Sequence, residues 1–151
     1  MLTPMLVMAL LCAAIVLFVA SVKRIPEGHA YTLRRMGGHM RTLGAGTHLV
    51  LPVVERVAHR IRLLGNVVDV GDIAAPGLNV TLHGQVYYQV LDAQRADAII
   101  DEVGPRVCER LPELIASAPS QDADARNLHL KTELNRSLRE RGLLVTRVQL
   151  I

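Results

Sequence analysis

The chain has 151 residues and a formal net charge of +3, and half of its residues are hydrophobic. Three Tyr, one Phe and no Trp argue against a protein that binds nucleic acid by stacking bases on exposed aromatic side chains. The two cysteines, Cys12 and Cys108, lie too far apart in the sequence to form a disulfide framework or a metal-binding thiol pair.

The N-terminal 22 residues contain no Asp, Glu, Lys, Arg or His. A helix needs about 20 apolar residues to cross a hydrocarbon core of roughly 30 Å, and the uncharged run stops at Lys23 and Arg24. We therefore predict a transmembrane anchor over residues 1–24 and one domain over residues 25–151. The large apolar side chains expected to contact lipid are Leu6, Val7, Leu10, Leu11, Ile15, Val16, Leu17 and Phe18.

A cleaved secretory leader is the alternative interpretation, because Val19-Ala20-Ser21 fits a cleavage site. Residues 1–4 carry no basic side chain, however, and the apolar run is long for a leader, so we favour an uncleaved anchor. Lys and Arg flank only the C-terminal end of the run, which predicts a cytoplasmic domain. We expect a single-pass protein of the bacterial inner membrane.

The residues that follow the anchor are basic. Residues 23–62 hold eight Lys or Arg against two Glu, whereas residues 63–151 hold nine against twelve Asp or Glu. A basic segment beside an anchor is attracted to anionic lipid by about 1 kcal/mol per Lys or Arg. The alternative is an ordinary solvated β surface. The expected headgroup contacts are Lys23, Arg24, Arg34, Arg35 and Arg41.

Alternating polar and apolar residues predict an antiparallel β region. Residues 29–35 form the first such strand, and Gly37-Gly38 suits a hairpin turn because both positions tolerate positive φ. The clearest strand covers residues 78–91, and a loop precedes it at residues 74–77. Further strands are expected at residues 39–43, 47–51, 53–64 and 67–70.

The pattern becomes helical at Asp92, which suits the N-cap of a helix ending before Gly104. A second helix is expected to begin at Pro105 and to break or kink at Pro112, followed by a loop at residues 118–120. A third helix is predicted over residues 122–141, and a closing strand over residues 143–151. This order of elements predicts an α+β domain.

The ordered motifs resemble the stomatin/prohibitin/flotillin family, also called band 7 or SPFH. Ile25-Pro26-Glu27-Gly28 is similar to the family's exit from the membrane, and residues 78–92 are similar to its N-V-x-V-D-G-x-V-x-Y-R-V-x-D signature. The resemblance implies a structural role for the matching motif positions. These are Pro26, Gly28, Gly37, Gly46, His48 and Pro52.

This resemblance implies an SPFH domain that acts as a membrane-anchored, non-catalytic scaffold and organises or regulates membrane protein complexes or microdomains. The implied partners are the lipid bilayer, other membrane proteins such as a membrane protease, and further copies of the chain. The Glu- and Ala-rich coiled coil that usually follows in the family does not appear in this sequence. The alternative is therefore a monomeric membrane-tethered module that binds lipid or another ligand.

No motif in the sequence predicts catalysis or a cofactor. The six His occur in no metal-ligand spacing, and G-x-S-x-G, H-E-x-x-H and phosphate-binding loops do not occur. We therefore expect no enzyme activity, no metal and no cofactor, and no binding to nucleic acid.

Overall fold

The computed structural model describes residues 2–75, 80–118 and 122–151. The fold class is α+β, as predicted, with an apolar N-terminal helix and antiparallel sheets. The chain forms two compact units, Met1–Arg60 and Ile61–Ile151.

The first unit contains the N-terminal helix and short antiparallel strands. Strands β1 and β4 form a two-stranded ribbon, and a second sheet has the order β3-β2-β5. The elements are α1 (Leu2–Ser21), β1 (Val22–Ile25), β2 (His29–Arg35), β3 (Met40–Leu43), β4 (Gly46–Leu49) and β5 (Glu55–Arg62), whose last two residues belong to the second unit.

The predicted hairpin between β2 and β3 is confirmed. Gly37 and Gly38 both have positive φ, +124° and +87°, which residues with a side chain rarely adopt. The turn is closed by hydrogen bonds from the Arg35 N–H to the His39 carbonyl and from the Gly38 N–H to the Arg35 carbonyl, both 3.0 Å. A small core lies beneath this hairpin and consists of Ile25, Leu33, Leu43 and Val50, with Tyr31 packed against it.

The second unit is a three-stranded antiparallel sheet with helices against one face. The strand order is β6-β7-β8, and a single 3₁₀ turn lies at each of Ile100–Glu102 and Arg139–Arg141. The remaining elements are β6 (Asn66–Ala75), β7 (Val80–Val90), α2 (Ala93–Ala96), α3 (Val103–Ala116), α4 (Ala123–Leu138) and β8 (Leu143–Leu150).

The alternation in β7 and the apolar stripe of α4 form the core of this unit, as the sequence predicts. On β7 the side chains of Leu82, Val86 and Val90 are buried, while that of Thr81, on the opposite face, is exposed. On α4 the three leucines at i, i+4 spacing are all buried: Leu130, Leu134 and Leu138.

The predicted N-cap at Asp92 and the helix end before Gly142 are confirmed, and Asp122 is a further N-cap. The Asp92 carboxylate accepts hydrogen bonds from the N–H groups of Gln94 and Arg95 at 3.0 and 3.2 Å, and the Asp122 carboxylate accepts one from Ala125 at 3.0 Å. Gly142 ends the helical segment at φ +77°, where a Cβ atom would lie 2.6 Å from the Asp92 carbonyl oxygen. Only glycine fits this position.

The predicted boundaries between the middle helices are wrong. The helix capped by Asp92 ends at Ala96, and Gly104 lies inside α3, which begins at Val103. Helix α3 also continues through Pro112 to Ala116. An interior proline costs about 3 kcal/mol. Burial of one aliphatic side chain yields about 1.5–3 kcal/mol, and α3 buries four along one stripe: Val103, Val107, Leu111 and Ile115.

Two strand predictions need correction. Strand β6 extends through Ala74 and Ala75, which pair with Thr81 and Val80 of β7 after a bulge, so these two residues are not in a loop. Within residues 53–64, the strand observed is Glu55–Arg62. The side chain of Leu64 lies outside this strand and is exposed instead of buried in the core. The rest of the two predicted loops, residues 76–77 and 119–120, lies outside the described residues, as do residues 78–79 of the predicted strand.

Two asparagines of α4 form hydrogen bonds with backbone groups of the edge strand β8. The Asn135 side chain accepts from the Val145 N–H at 2.7 Å and donates to the Val145 carbonyl at 2.9 Å. Asn127 does the same with Leu150, at 3.3 Å for each bond. At these two points the helix satisfies the edge groups that would otherwise be open to a strand from another molecule.

We predict that Val86→Asp lowers the free energy of unfolding by several kcal/mol, because Val86 is fully buried and the carboxylate would have no partner. Thr81→Asp, on the exposed face of the same strand, is the matched control and should change it by no more than about 0.5 kcal/mol. Denaturant unfolding of the full chain in detergent, followed by circular dichroism, measures both. Equal losses would show that both faces of β7 are covered.

Candidate membrane-facing surface

Helix α1 presents apolar side chains in all directions. One helix in the described part of the chain is long and apolar enough to cross a membrane, over Pro4–Ser21. The side chains of residues 4–20 are all exposed, and the eight predicted lipid-contacting residues have exposed fractions of 49–68%. By length and composition, α1 fits both a membrane span and a leader sequence.

The end of α1 is joined directly to the folded unit. Ser21 is the last helical residue and Val22 the first residue of β1. The Ser21 carbonyl accepts a hydrogen bond from the Val50 N–H at 2.7 Å, and Val22 lies opposite Leu49 in the β1–β4 ribbon. No flexible linker therefore separates the helix from the strands.

We call residues 49–54 the exit segment. It begins at the last residue of β4 and exposes apolar side chains beside the helix end. Leu49, Leu51 and Val53 are 57%, 45% and 70% exposed, whereas Val50 is buried. The strand predicted over residues 47–51 is Gly46–Leu49 in the structure, because the chain then forms a turn: the N–H groups of residues 54 and 55 both donate to the Leu51 carbonyl.

The exit segment connects the end of α1 to the end of β2. Its Val50 is bonded to Ser21, and the Val54 carbonyl accepts from the Met36 N–H at 2.9 Å. Val54 is the fourth residue after Val50, and an extended chain of that length spans at most about 14 Å. The end of β2 therefore lies close to the point where α1 meets the domain.

Three arginines line a cleft of about 340 Å³ at this place, and we call it the arginine cleft. Arg34 and Arg35 come from the end of β2, and Arg56 comes from the start of β5. The other lining residues are apolar: Met36, which is 80% exposed, Val53 and Val54. None of the three arginines forms an ion pair with any residue that the structure describes.

The five predicted headgroup contacts separate into two groups and one isolated residue. Arg34 and Arg35 lie in the arginine cleft, and Lys23 and Arg24 lie exposed on β1, next to the end of α1. Arg41 is exposed on β3, but it does not line the cleft. Arg56, which lines the cleft, belongs to the same basic stretch of the sequence.

The motif glycines hold backbone conformations that favour glycine. Gly28, Gly37 and Gly46 have φ of +76°, +124° and +130°. His48 Nε2 lies 3.0 Å from the Gly44 carbonyl oxygen and so braces the turn between β3 and β4. The two motif prolines are also at turns: the Pro26 carbonyl accepts from the His29 N–H, and Pro52 lies within the exit segment.

A row of polar side chains crosses the open face of the second unit's sheet. The Gln85 amide donates to Asp69 Oδ1 at 2.9 Å, and the Tyr87 hydroxyl donates to Gln85 Oε1 at 2.6 Å. On the helix-covered face, burial raises the pKa of Tyr88 above its usual value. Across the described ranges, no three His, Cys, Asp or Glu side chains are grouped to hold a metal ion.

No protein-family model matches this chain. The resemblance to the SPFH family therefore stays a prediction that rests on the sequence motifs.

Proposed function

We propose that the protein is a membrane-anchored, non-catalytic scaffold of the stomatin/prohibitin type, which organises or regulates other membrane proteins. The observation that carries the proposal is α1, an uncharged helix exposed along residues 4–20 and joined to β1 without a linker. An apolar surface of this size is unfavourable in water. Embedding α1 in lipid places the first unit at the bilayer surface, where other membrane proteins emerge.

The junction favours retention of α1 over cleavage. A leader peptidase that cut after Ser21 would remove the carbonyl to which Val50 is bonded. It would also leave Val22, which pairs with Leu49, as a charged N-terminus at the end of the ribbon. The helix thus belongs to the hydrogen-bonded structure of the mature domain in this proposal.

The distribution of charge supports a cytoplasmic domain on a bacterial inner membrane. All Lys and Arg near α1 follow it, beginning with Lys23 and Arg24, and basic flanks favour the cytoplasmic side. The proposed partners are anionic lipids of that leaflet, membrane proteins such as a membrane protease, and other copies of the chain.

A monomeric, membrane-tethered module that binds a lipid or another ligand is the second candidate. The arginine cleft favours it, because three cationic side chains that lack ion pairs to described residues converge with exposed Met36 and Val53 on one cleft. Such a cleft suits an anionic, partly apolar ligand without any requirement for a second protein chain.

We predict that the full chain stays in the membrane pellet after alkaline carbonate extraction and that N-terminal sequencing finds α1 intact. Leu11→Arg combined with Ile15→Arg should make the protein extractable, because each arginine costs about 2.5–3.5 kcal/mol near the centre of a span. A soluble product that begins at Val22 would show that α1 is a leader and would contradict the proposal.

Sidedness is measured with a single cysteine at an exposed site of α4. In a background in which Cys12 and Cys108 are replaced by Ala, Leu128→Cys provides this site, because Leu128 is 65% exposed. We expect a membrane-impermeant maleimide to label it only after the cells are opened. Labelling in intact cells would place the domain outside the cytoplasm.

The scaffold and the monomeric module differ in stoichiometry. We expect native mass spectrometry of the full chain in lipid nanodiscs to find several copies per particle if the protein assembles as a scaffold. A single copy at all protein-to-disc ratios would favour the tethered module. Val86→Asp, which disrupts the core of the second unit, serves as a control for assemblies that arise from unfolded protein.

A further inference from the structure

We propose that the arginine cleft binds the headgroup of an anionic glycerophospholipid, with Arg34, Arg35 and Arg56 on the phosphate and Met36 and Val53 against the glycerol and upper acyl chain. This inference rests on the proposed membrane anchoring by α1. It goes further because it assigns a ligand class and a defined set of residues to one place on the membrane-facing surface.

The charges in the cleft point to a phosphate. No acidic residue lines it, and within the described residues none of its three guanidinium groups is neutralised by an ion pair. Arginine presents a planar fork of donors that matches phosphate oxygens in a bidentate way. Three such groups in one cleft repel each other, and the negative charge of a bound phosphate group would offset that repulsion.

The apolar part of the cleft distinguishes a lipid from a soluble phosphate compound. Met36 and Val53 are 80% and 70% exposed beside the guanidinium groups. Large apolar side chains next to basic ones are typical of protein surfaces that lie at the boundary of headgroups and acyl chains. The lining contains no aromatic ring on which a nucleotide base would stack.

The position of the cleft allows this contact. The exit segment ties the cleft to the end of α1, because Val50 is bonded to Ser21, Val54 is bonded to Met36, and the chain from Val50 to Val54 spans at most about 14 Å. The headgroup region on each side of a bilayer is several ångströms thick, since it accounts for the difference between about 30 Å and about 40–45 Å. In this proposal the cleft, which is held near the end of α1, lies at the headgroup layer when α1 spans the membrane.

A single tryptophan tests the proposal on the full chain. The native sequence has none, so Met36→Trp places one fluorophore in the cleft, at a position exposed enough to accept it. In nanodiscs that contain phosphatidylglycerol we expect blue-shifted emission and quenching by lipids brominated in the upper acyl chain. In phosphatidylcholine nanodiscs we expect little of either.

The arginines are then tested in the Met36→Trp background. Arg56→Gln should remove most of the quenching in anionic nanodiscs, whereas Arg41→Gln, which removes an equal charge outside the cleft, should leave it. Raising the ionic strength from about 0.15 M to about 1 M shortens the Debye length from about 8 Å to about 3 Å, and should also reduce the quenching. Unchanged circular dichroism establishes that each variant is folded.

Several results would overturn the assignment. Equal emission in both lipids means that the cleft does not contact anionic headgroups. Equal effects of Arg41→Gln and Arg56→Gln mean a diffuse basic surface without a defined site. A shift produced by glycerol phosphate in neutral nanodiscs means a soluble ligand. If carbonate extraction shows an anchored protein while these results occur, the cleft assignment fails and the membrane anchoring stands.

Discussion

The hydrogen bond from the Val50 N–H to the Ser21 carbonyl, together with the β1–β4 ribbon, fixes the apolar helix to the first unit. A helix that is apolar on all sides is favoured either in lipid or in the core of a large protein, and our proposal places α1 in lipid. Because the strand begins at the residue that follows the helix, the position of α1 in a bilayer also determines where the ribbon lies. The position of α1 also fixes where the exit segment begins, because Val50, which is bonded to Ser21, is its second residue.

In the proposed anchoring, two kinds of interaction with lipid would meet on this unit. Exposed apolar side chains of the exit segment and the exposed Met36 favour the edge of the hydrocarbon region, and the arginines of the cleft favour the phosphate layer above it. Neither is strong alone, because single exposed charges are screened by salt and single apolar side chains bury little area. The proposed lipid site depends on their combination near the helix end.

The second unit is organised differently, around a well-packed sheet and two long helices. Its helix-facing residues, such as Val86 and Leu134, are almost completely buried, while its open sheet face carries the polar row from Asp69 to Tyr87. Side chains of α4 form hydrogen bonds with the backbone of the edge strand β8 at Val145 and Leu150. These features give the second unit a well-packed core on one side of the sheet and a polar face on the other.

The sequence by itself determined the features that depend on neighbouring residues: the uncharged helix α1, the alternation of β7, the Gly37-Gly38 turn, and the caps at Asp92 and Gly142. Their physical causes act within a few residues of the chain. Tertiary structure alone decided that α3 continues through Pro112, that Asn135 bonds the edge of β8, and that Arg56, not Arg41, joins Arg34 in one cleft. Each of these outcomes depends on contacts between segments far apart in sequence, which periodicity and composition do not encode.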